Sequence, residues 1–358
     1  MSSQIRLLFL GGTGRIGKSR HLLKGLLILR SEGFDLDITL VGRNFEETSL
    51  LAEELGCKSE PDLEASLSSG KFNVYFDCAP PQGRDERITA AIRLGLNVFC
   101  EKPLANSTED FIKLANLAES AGIISGVVTD KKFTPGFIAL QRLLAEKAFG
   151  EIFDVNCEFG YWIAPGLDGQ KPQRPSWNYI KAKGGSLIND IFSHWGYILD
   201  MISPVKEVFS YTSTHVKDRV DETGKQFVVD VPDTAQVVLL FENQATGHIS
   251  TSWLSRPAKP FTIEISGDKA SARLTPTTAE VTLDNGKQYD AIAKYKIENK
   301  DEFYLQWKEY LQCVIDNRQP YFNFRSSIIG AILVESIERS ALMGESVLIS
   351  DLRKEYKI

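Results

Sequence analysis

The chain has 358 residues, a length that suits two domains. Hydrophobic residues make up 43% and charged residues 25%, ordinary values for a soluble globular protein, and the net charge of −6 argues against a nucleic-acid partner. The first apolar run, Ile5–Leu10, is too short for a signal segment, and no later apolar stretch approaches the ~18 residues of a membrane span. A cytoplasmic location is expected.

Ile5–Leu10 reads as a buried strand, followed by Gly11-Gly12-Thr13-Gly14-Arg15-Ile16-Gly17 and a helical stretch over 19–30. Gly12, Gly14 and Gly17 fit G-x-G-x-x-G, a dinucleotide fingerprint when a strand precedes it and a helix follows. The tight turn, the close backbone approach and the free N–H groups near Arg15 suit a pyrophosphate, so Thr13, Arg15 and Ile16 join the expected cofactor contacts.

A second strand, 37–41, ends at Gly42-Arg43-Asn44, where an NAD enzyme usually carries an acidic residue for the ribose. A guanidinium suits a 2′-phosphate, which favours NADP over NAD; stacking of Arg43 on the adenine would leave the choice open. A helix over 45–55 and a strand over 74–78 lead to Ala79-Pro80-Pro81, a turn expected beside the cofactor. A helix over 85–94 ends at Gly95. The strand 97–100 then delivers Glu101-Lys102-Pro103. A helix over 108–121 and a strand over 123–128 complete the alternation, which predicts a doubly wound parallel sheet over residues 1–129.

Lys102 is the residue of greatest interest. A lysine closing a strand of an open parallel sheet points into the crevice where such folds bind ligands, beside the hydride-carrying carbon of a nicotinamide. The same triplet also occurs as an ordinary capping turn.

Past residue 130 the texture turns β-rich. A helix over 135–147 precedes strands at 152–161, 205–215, 227–229, 235–242, 246–253, 262–266, 272–275 and 279–282. A glycine-rich turn, Gly184-Gly185-Ser186, opens a helix that runs to about 202. Asp190 and His194 are four residues apart on it and share a face, so the carboxylate can orient the imidazole. The loop before it supplies Trp162, Arg174, Trp177, Asn178 and Tyr179. That mixture of aromatic faces and fixed polar groups suits a polyhydroxylated ligand, and equally a packed loop anchored by its tryptophans. A periodic helix over 324–343 and a strand over 346–349 end the pattern.

The five cysteines are scattered with no C-x-x-C pair, and His21, His215 and His248 have no metal-ligand partner at useful spacing. No catalytic metal is expected.

Ala79-Pro80-Pro81, the run Gly95–Ala105 and the glycine turn followed by Asp190-x-x-x-His194 resemble the glucose–fructose oxidoreductase / inositol dehydrogenase (Gfo/Idh/MocA) family along the whole chain. The resemblance implies a fold of class α/β + α+β: an N-terminal Rossmann domain (1–129) and a C-terminal domain (130–358). That second domain would be built on a large, mostly antiparallel sheet flanked by helices, with the helix 324–343 packing back between the domains. It implies NAD(P)-dependent interconversion of a secondary hydroxyl and a ketone on a sugar, sugar derivative or cyclitol. Lys102, Asp190 and His194 would form one catalytic site, with the base open between His194 and Lys102, and the C-terminal sheet would build a homodimer or homotetramer. Two departures stand out. The family often has a histidine where this chain has Arg84, and an aspartate where it has Tyr197, a position expected to be structural. Other classes stay open: a reductase of a non-sugar carbonyl or imine, a glycoside-cleaving enzyme that retains its NAD, and a dinucleotide-sensing regulator without turnover.

Overall fold

The computed structural model describes residues 4–163 and 174–358, in two compact units. The first comprises residues up to Phe133 together with Lys300–Ile328; the second comprises Thr134–Asn299 and Ile329–Ile358. Among the described residues no helix is long and apolar enough to cross a membrane.

Six parallel strands form the first unit's sheet: β1 (Ile5–Leu10), β2 (Leu36–Val41), β3 (Lys58–Glu60), β4 (Val74–Asp77), β5 (Asn97–Cys100) and β6 (Ser125–Val127). Their order, β3-β2-β1-β4-β5-β6, is that of a doubly wound dinucleotide-binding sheet. Buried on both faces, β1 and β4 are near-continuous apolar runs, which is why they were legible from sequence. The crossover helices are α1 (Leu27–Ser31, continuing a π-helical stretch Gly17–Leu26), α2 (Phe45–Glu54), α3 (Leu63–Ser68), α4 (Arg84–Arg93) and α5 (Thr108–Ala121). The ends of α5 follow from its caps: the Ser107 hydroxyl accepts from Asp110 N–H, and Gly122 takes φ +66° beyond the last turn. The short β3 and α3 were not expected.

The second unit contains α6 (Pro135–Ala145), β7 (Ile152–Trp162), α7 (Ser193–Ile202, continuing a π-helical stretch Ile188–Phe192) and β8 (Val205–Ser213). A small hairpin of β9 (Asp218–Val220) and β10 (Gln226–Val228) follows. Then come β11 (Thr234–Phe241), β12 (Thr246–Ser252), β13 (Leu254–Gly267), β14 (Ala270–Leu274), β15 (Ala279–Leu283), β16 (Gln288–Asp290) and a short α8 (Ala291–Lys294). With β17 (Val347–Leu348) these strands make a nine-stranded sheet in the order β16-β15-β14-β13-β7-β12-β11-β8-β17. Among the described residues only β7 and β12 pair in parallel, so the sheet is mixed and mostly antiparallel, as expected.

The two compact units do not meet at a single boundary near residue 130, because Lys300–Ile328 clusters with the first unit. A helix that the sequence pattern did not predict, α9 (Glu302–Asp316), belongs to the first unit. Phe303, Tyr304, Trp307, Tyr310 and Leu311 all join the buried core formed by Phe9, Phe76 and Phe99. The Tyr310 ring stacks on Phe99 at 4.6 Å, and Gly25 admits Trp307 where a Cβ would lie 2.7 Å from its ring. Aromatic burial on this scale fixes α9 to the first sheet. The chain then continues into α10 (Phe324–Met343) and ends with α11 (Ile349–Tyr356), the latter also unexpected.

Candidate active site

In the first unit the glycine turn is built by two close approaches. Gly11 has φ +87°, and a Cβ there would lie 2.8 Å from the Cys78 carbonyl, so β1 and β4 can converge only on a glycine. A Cβ on Gly17 would run into the Gly11 carbonyl oxygen. Gly11 was not singled out from sequence, although its place directly after the strand is a usable signal. The Lys18 N–H donates to the Gly14 carbonyl at 2.9 Å. The N–H groups of Arg15, Ile16 and Gly17 precede that bond, in the first turn that helices leave for an anion. These residues, with Thr13 and Gly14, fit a dinucleotide pyrophosphate. Beyond β2, Arg43 is exposed, while the Asn44 side chain accepts from Glu47 N–H and caps α2. That cap is the role the structure gives Asn44, expected as a cofactor contact.

The end of β4 and the turn after β5 are gripped by one buried cation. Arg84, 2% exposed, donates to the carbonyls of Glu101 at 2.8 Å and Pro103 at 2.6 Å, and also to the Ala79 carbonyl. Its charge is met by Asp77, fully buried, which also accepts from Arg87 at 2.8 Å and from the Tyr75 hydroxyl at 3.0 Å. The family's frequent histidine is thus replaced by a guanidinium that ties Ala79-Pro80-Pro81 to Glu101-Lys102-Pro103. The Lys102–Pro103 peptide is cis.

Glu101 accepts the Lys102 N–H through Oε2 at 3.1 Å, and its Oε1 lies 2.8 Å from His21 Nε2. Burial would raise this carboxyl, but the hydrogen bond from His21 and the Lys102 ammonium prevail and hold it below its ordinary value. Sequence reasoning set His21 aside; the structure makes it a partner of Glu101. His21, Cys78 and Glu101 bring ligand-type atoms within 4.8 Å of one another. The donor set does not suit a metal, however. Trp307 Nε1 donates to His21 Nδ1 at 3.0 Å, so the ring proton sits on Nε2, the atom a metal would need. Burial, and then Glu101, push the Cys78 thiol well up, which keeps it protonated.

In the second unit a wide π-type turn, a feature frequent at functional sites, carries Asp190 into α7. Gly196 locks α7 against α10, where a Cβ would lie 2.6 Å from the Gly330 Cα, and Trp195 stacks on Phe261 at 3.7 Å. His194 is thereby buried, with Nδ1 at 2.7 Å from the Tyr197 hydroxyl. Tyr197, expected to be structural only, is therefore an orienting partner of the imidazole. Asp190 accepts from Arg174 at 2.7 Å. Arg174 also lies over the rings of Tyr161 and Trp253, at 5.6 and 5.5 Å, and 3.5 Å from the Asn178 side-chain oxygen. Burial pushes the Tyr161 phenol up to about 12 against the influence of Arg174, so it stays a neutral donor.

The loop residues divide. Arg174 and Asn178 join Asp190, whereas Tyr179 is fully buried, donates to the Ile163 carbonyl at 3.2 Å and packs under Arg219. Tyr179, expected to face the substrate, also packs edge-on against Trp253 at 5.6 Å. Trp162 carries the Arg256 guanidinium 3.7 Å above its ring. Trp177 is half-buried, and its carbonyl is the backbone against which Gly185 packs. The remainder of the aromatic and proline-rich loop, including Ala164, Pro165 and Gln173, lies outside the described residues.

A parallel sheet in this order, opened by this glycine turn, defines a dinucleotide-binding domain. Residues 5–129 match the oxidoreductase family with an NAD-binding Rossmann fold, and residues 137–273 match the GFO/IDH/MocA C-terminal domain. The D-xylose dehydrogenase of Paenarthrobacter nicotinovorans is 32% identical, over 92% of this chain and 94% of that protein. The myo-inositol 2-dehydrogenase of Thermotoga maritima is 22% identical over 84% of this chain and 87% of its own length. Among solved structures, levoglucosan dehydrogenase in complex with NADH and L-sorbose superposes with a TM-score of 0.86 at 18% identity, covering 97% of this chain and 99% of that one. The chain belongs to the Gfo/Idh/MocA family of NAD-binding oxidoreductases.

Proposed function

We propose that the chain is a dehydrogenase that interconverts a secondary hydroxyl and a ketone on a sugar, sugar derivative or cyclitol, with NADP preferred over NAD. Two observations, each made within one unit, support this reading: the lysine turn after β5 is held by Arg84, and the His194 imidazole on α7 is oriented by Tyr197. The D-xylose, inositol and levoglucosan dehydrogenases among its relatives support a polyhydroxylated substrate.

When bound, the dinucleotide supplies the hydride acceptor or donor. The chain's own residues do the rest. The turn Gly11–Gly17 and Ala79-Pro80-Pro81 hold the cofactor, and Arg43 receives the 2′-phosphate. Lys102 donates a hydrogen bond to the reacting oxygen and stabilises its developing charge. His194 takes the hydroxyl proton, with Tyr197 fixing its ring. Asp190, held by Arg174, accepts from a neighbouring hydroxyl, and Asn178 and Trp177 line the same loop. Tyr211 and Val238, 67% and 53% exposed on the open face of the second sheet, support self-association there into a dimer or tetramer.

A melting-shift titration with NADP(H) and NAD(H) in parallel tests the cofactor, since binding to the folded state raises stability. The preferred cofactor is then used to screen aldoses, sugar acids and cyclitols for formation of reduced nicotinamide. Turnover of at least one of these supports the reading. Binding without turnover of any of them returns it to the sensing class, and cofactor retained through purification points to the glycoside-cleaving class.

A further inference from the structure

A chain of hydrogen bonds runs from α9 to the lysine turn, entirely within the first unit. Trp307 Nε1 donates to His21 Nδ1 at 3.0 Å, His21 Nε2 lies 2.8 Å from Glu101 Oε1, and Glu101 Oε2 accepts from Lys102 N–H at 3.1 Å. An indole nitrogen can only donate, so Nδ1 must accept and the proton must be on Nε2. Both ends of the chain therefore point their protons toward Glu101, whose two oxygens act only as acceptors. Flipping the imidazole would exchange both nitrogens for carbons and lose both bonds. The ring is also 1% exposed and enclosed by Phe76 at 4.6 Å and Phe303 at 4.9 Å.

The two sides of the lysine turn are held by different groups. Arg84 grips the carbonyls of Glu101 and Pro103. The His21–Glu101 pair holds the peptide N–H of Lys102. With both in place the backbone at Lys102 has little freedom to rotate, and the ammonium is aimed from a fixed root. A misplacement of about 1 Å at a reacting group can cost on the order of 100-fold in rate.

We propose that His21 is a positioning residue for the reaction: locked in its Nε2–H tautomer by Trp307, it holds Glu101 and so sets the turn that carries Lys102. This rests on the reading of Lys102 as the group that contacts the reacting oxygen. α9, held in the first unit by its aromatic core, supplies the donor that fixes the tautomer.

The test uses the full-length protein with its preferred cofactor and four variants, His21→Leu, His21→Gln, Trp307→Phe and Lys102→Met. A glutamine can present an N–H near the place of Nε2. His21→Leu is expected to lower kcat about 10- to 100-fold with cofactor Kd within about threefold, and His21→Gln to recover most of that loss. Selective nitrogen-15 labelling of the four histidines, assigned by single replacements, reads the tautomer directly. The wild type should show His21 as Nε2–H alone, and Trp307→Phe should lose that uniqueness. A wild-type kcat in His21→Leu, or an Nδ1–H tautomer in the wild type, overturns the proposal. If His21→Leu does not fold, the wild-type spectrum and Trp307→Phe still decide. A fully active Lys102→Met would instead overturn the parent reading, so the two failures are distinguishable.

Discussion

The Tyr197 hydroxyl lies 2.7 Å from Nδ1 of His194, one turn away on α7. A hydroxyl can donate or accept, so it orients the ring without forcing one charge state, as a carboxylate at that position would. Tyr197→Phe removes the bond and keeps the ring. It should lower kcat about tenfold or more, on the scale seen when an orienting partner of a working histidine is lost. Cofactor affinity should hold. Steady-state kinetics alongside a cofactor titration check both, and an unchanged kcat would mean that the packing of α7 alone holds His194.

Arg84 and Asp77 form a pair buried at 2% and 0% exposure. Removing one partner of such a pair typically costs about 3–5 kcal/mol, because the other is left charged and dry. Arg84→Met should approach that cost, softened because Asp77 keeps Arg87 and the Tyr75 hydroxyl. Urea denaturation measures it. The double variant Arg84→Met/Asp77→Asn should be less destabilised than the sum of the two single changes, the signature of direct coupling.

Gly17→Ala drives a methyl into the Gly11 carbonyl at the turn that fits the pyrophosphate. The expected result is a folded protein by circular dichroism whose cofactor Kd has risen about tenfold or more, since the first-turn N–H groups that cradle an anion are displaced. An unchanged Kd would place the cofactor elsewhere.

Arg43 stands exposed just past β2. A charge-assisted bond to a 2′-phosphate contributes about 1.5–3 kcal/mol. Arg43→Ala should therefore weaken NADP binding at least about tenfold and leave NAD within about threefold. Equal losses for both cofactors would show that the guanidinium stacks on the adenine.

Much of this was legible in the sequence because it is local. The buried runs of β1, β4 and β5, the glycine turn and the Ser107–Gly122 caps of α5 each declare themselves within a few residues. The i, i+3 relation of His194 and Tyr197 was equally local, and expecting an aspartate there obscured the alternative. What stayed hidden depends on tertiary return of the chain. His21 and Trp307 are separated by 286 positions, and no periodicity connects them. The aromatic face of α9 marks it as buried without telling which sheet it buries against. Arg174 is sixteen residues from Asp190, close enough to have been weighed as its partner, but the Pro175 and Gly184-Gly185 turns between them do not by themselves fix the approach.

The most direct test of the central claim is single-turnover hydride transfer by Lys102→Met, measured beside its cofactor affinity. The account predicts a Kd within about threefold of wild type and a rate at least about 100-fold lower, the scale for losing a positioned donor to developing charge. Wild-type hydride transfer in that variant would contradict it.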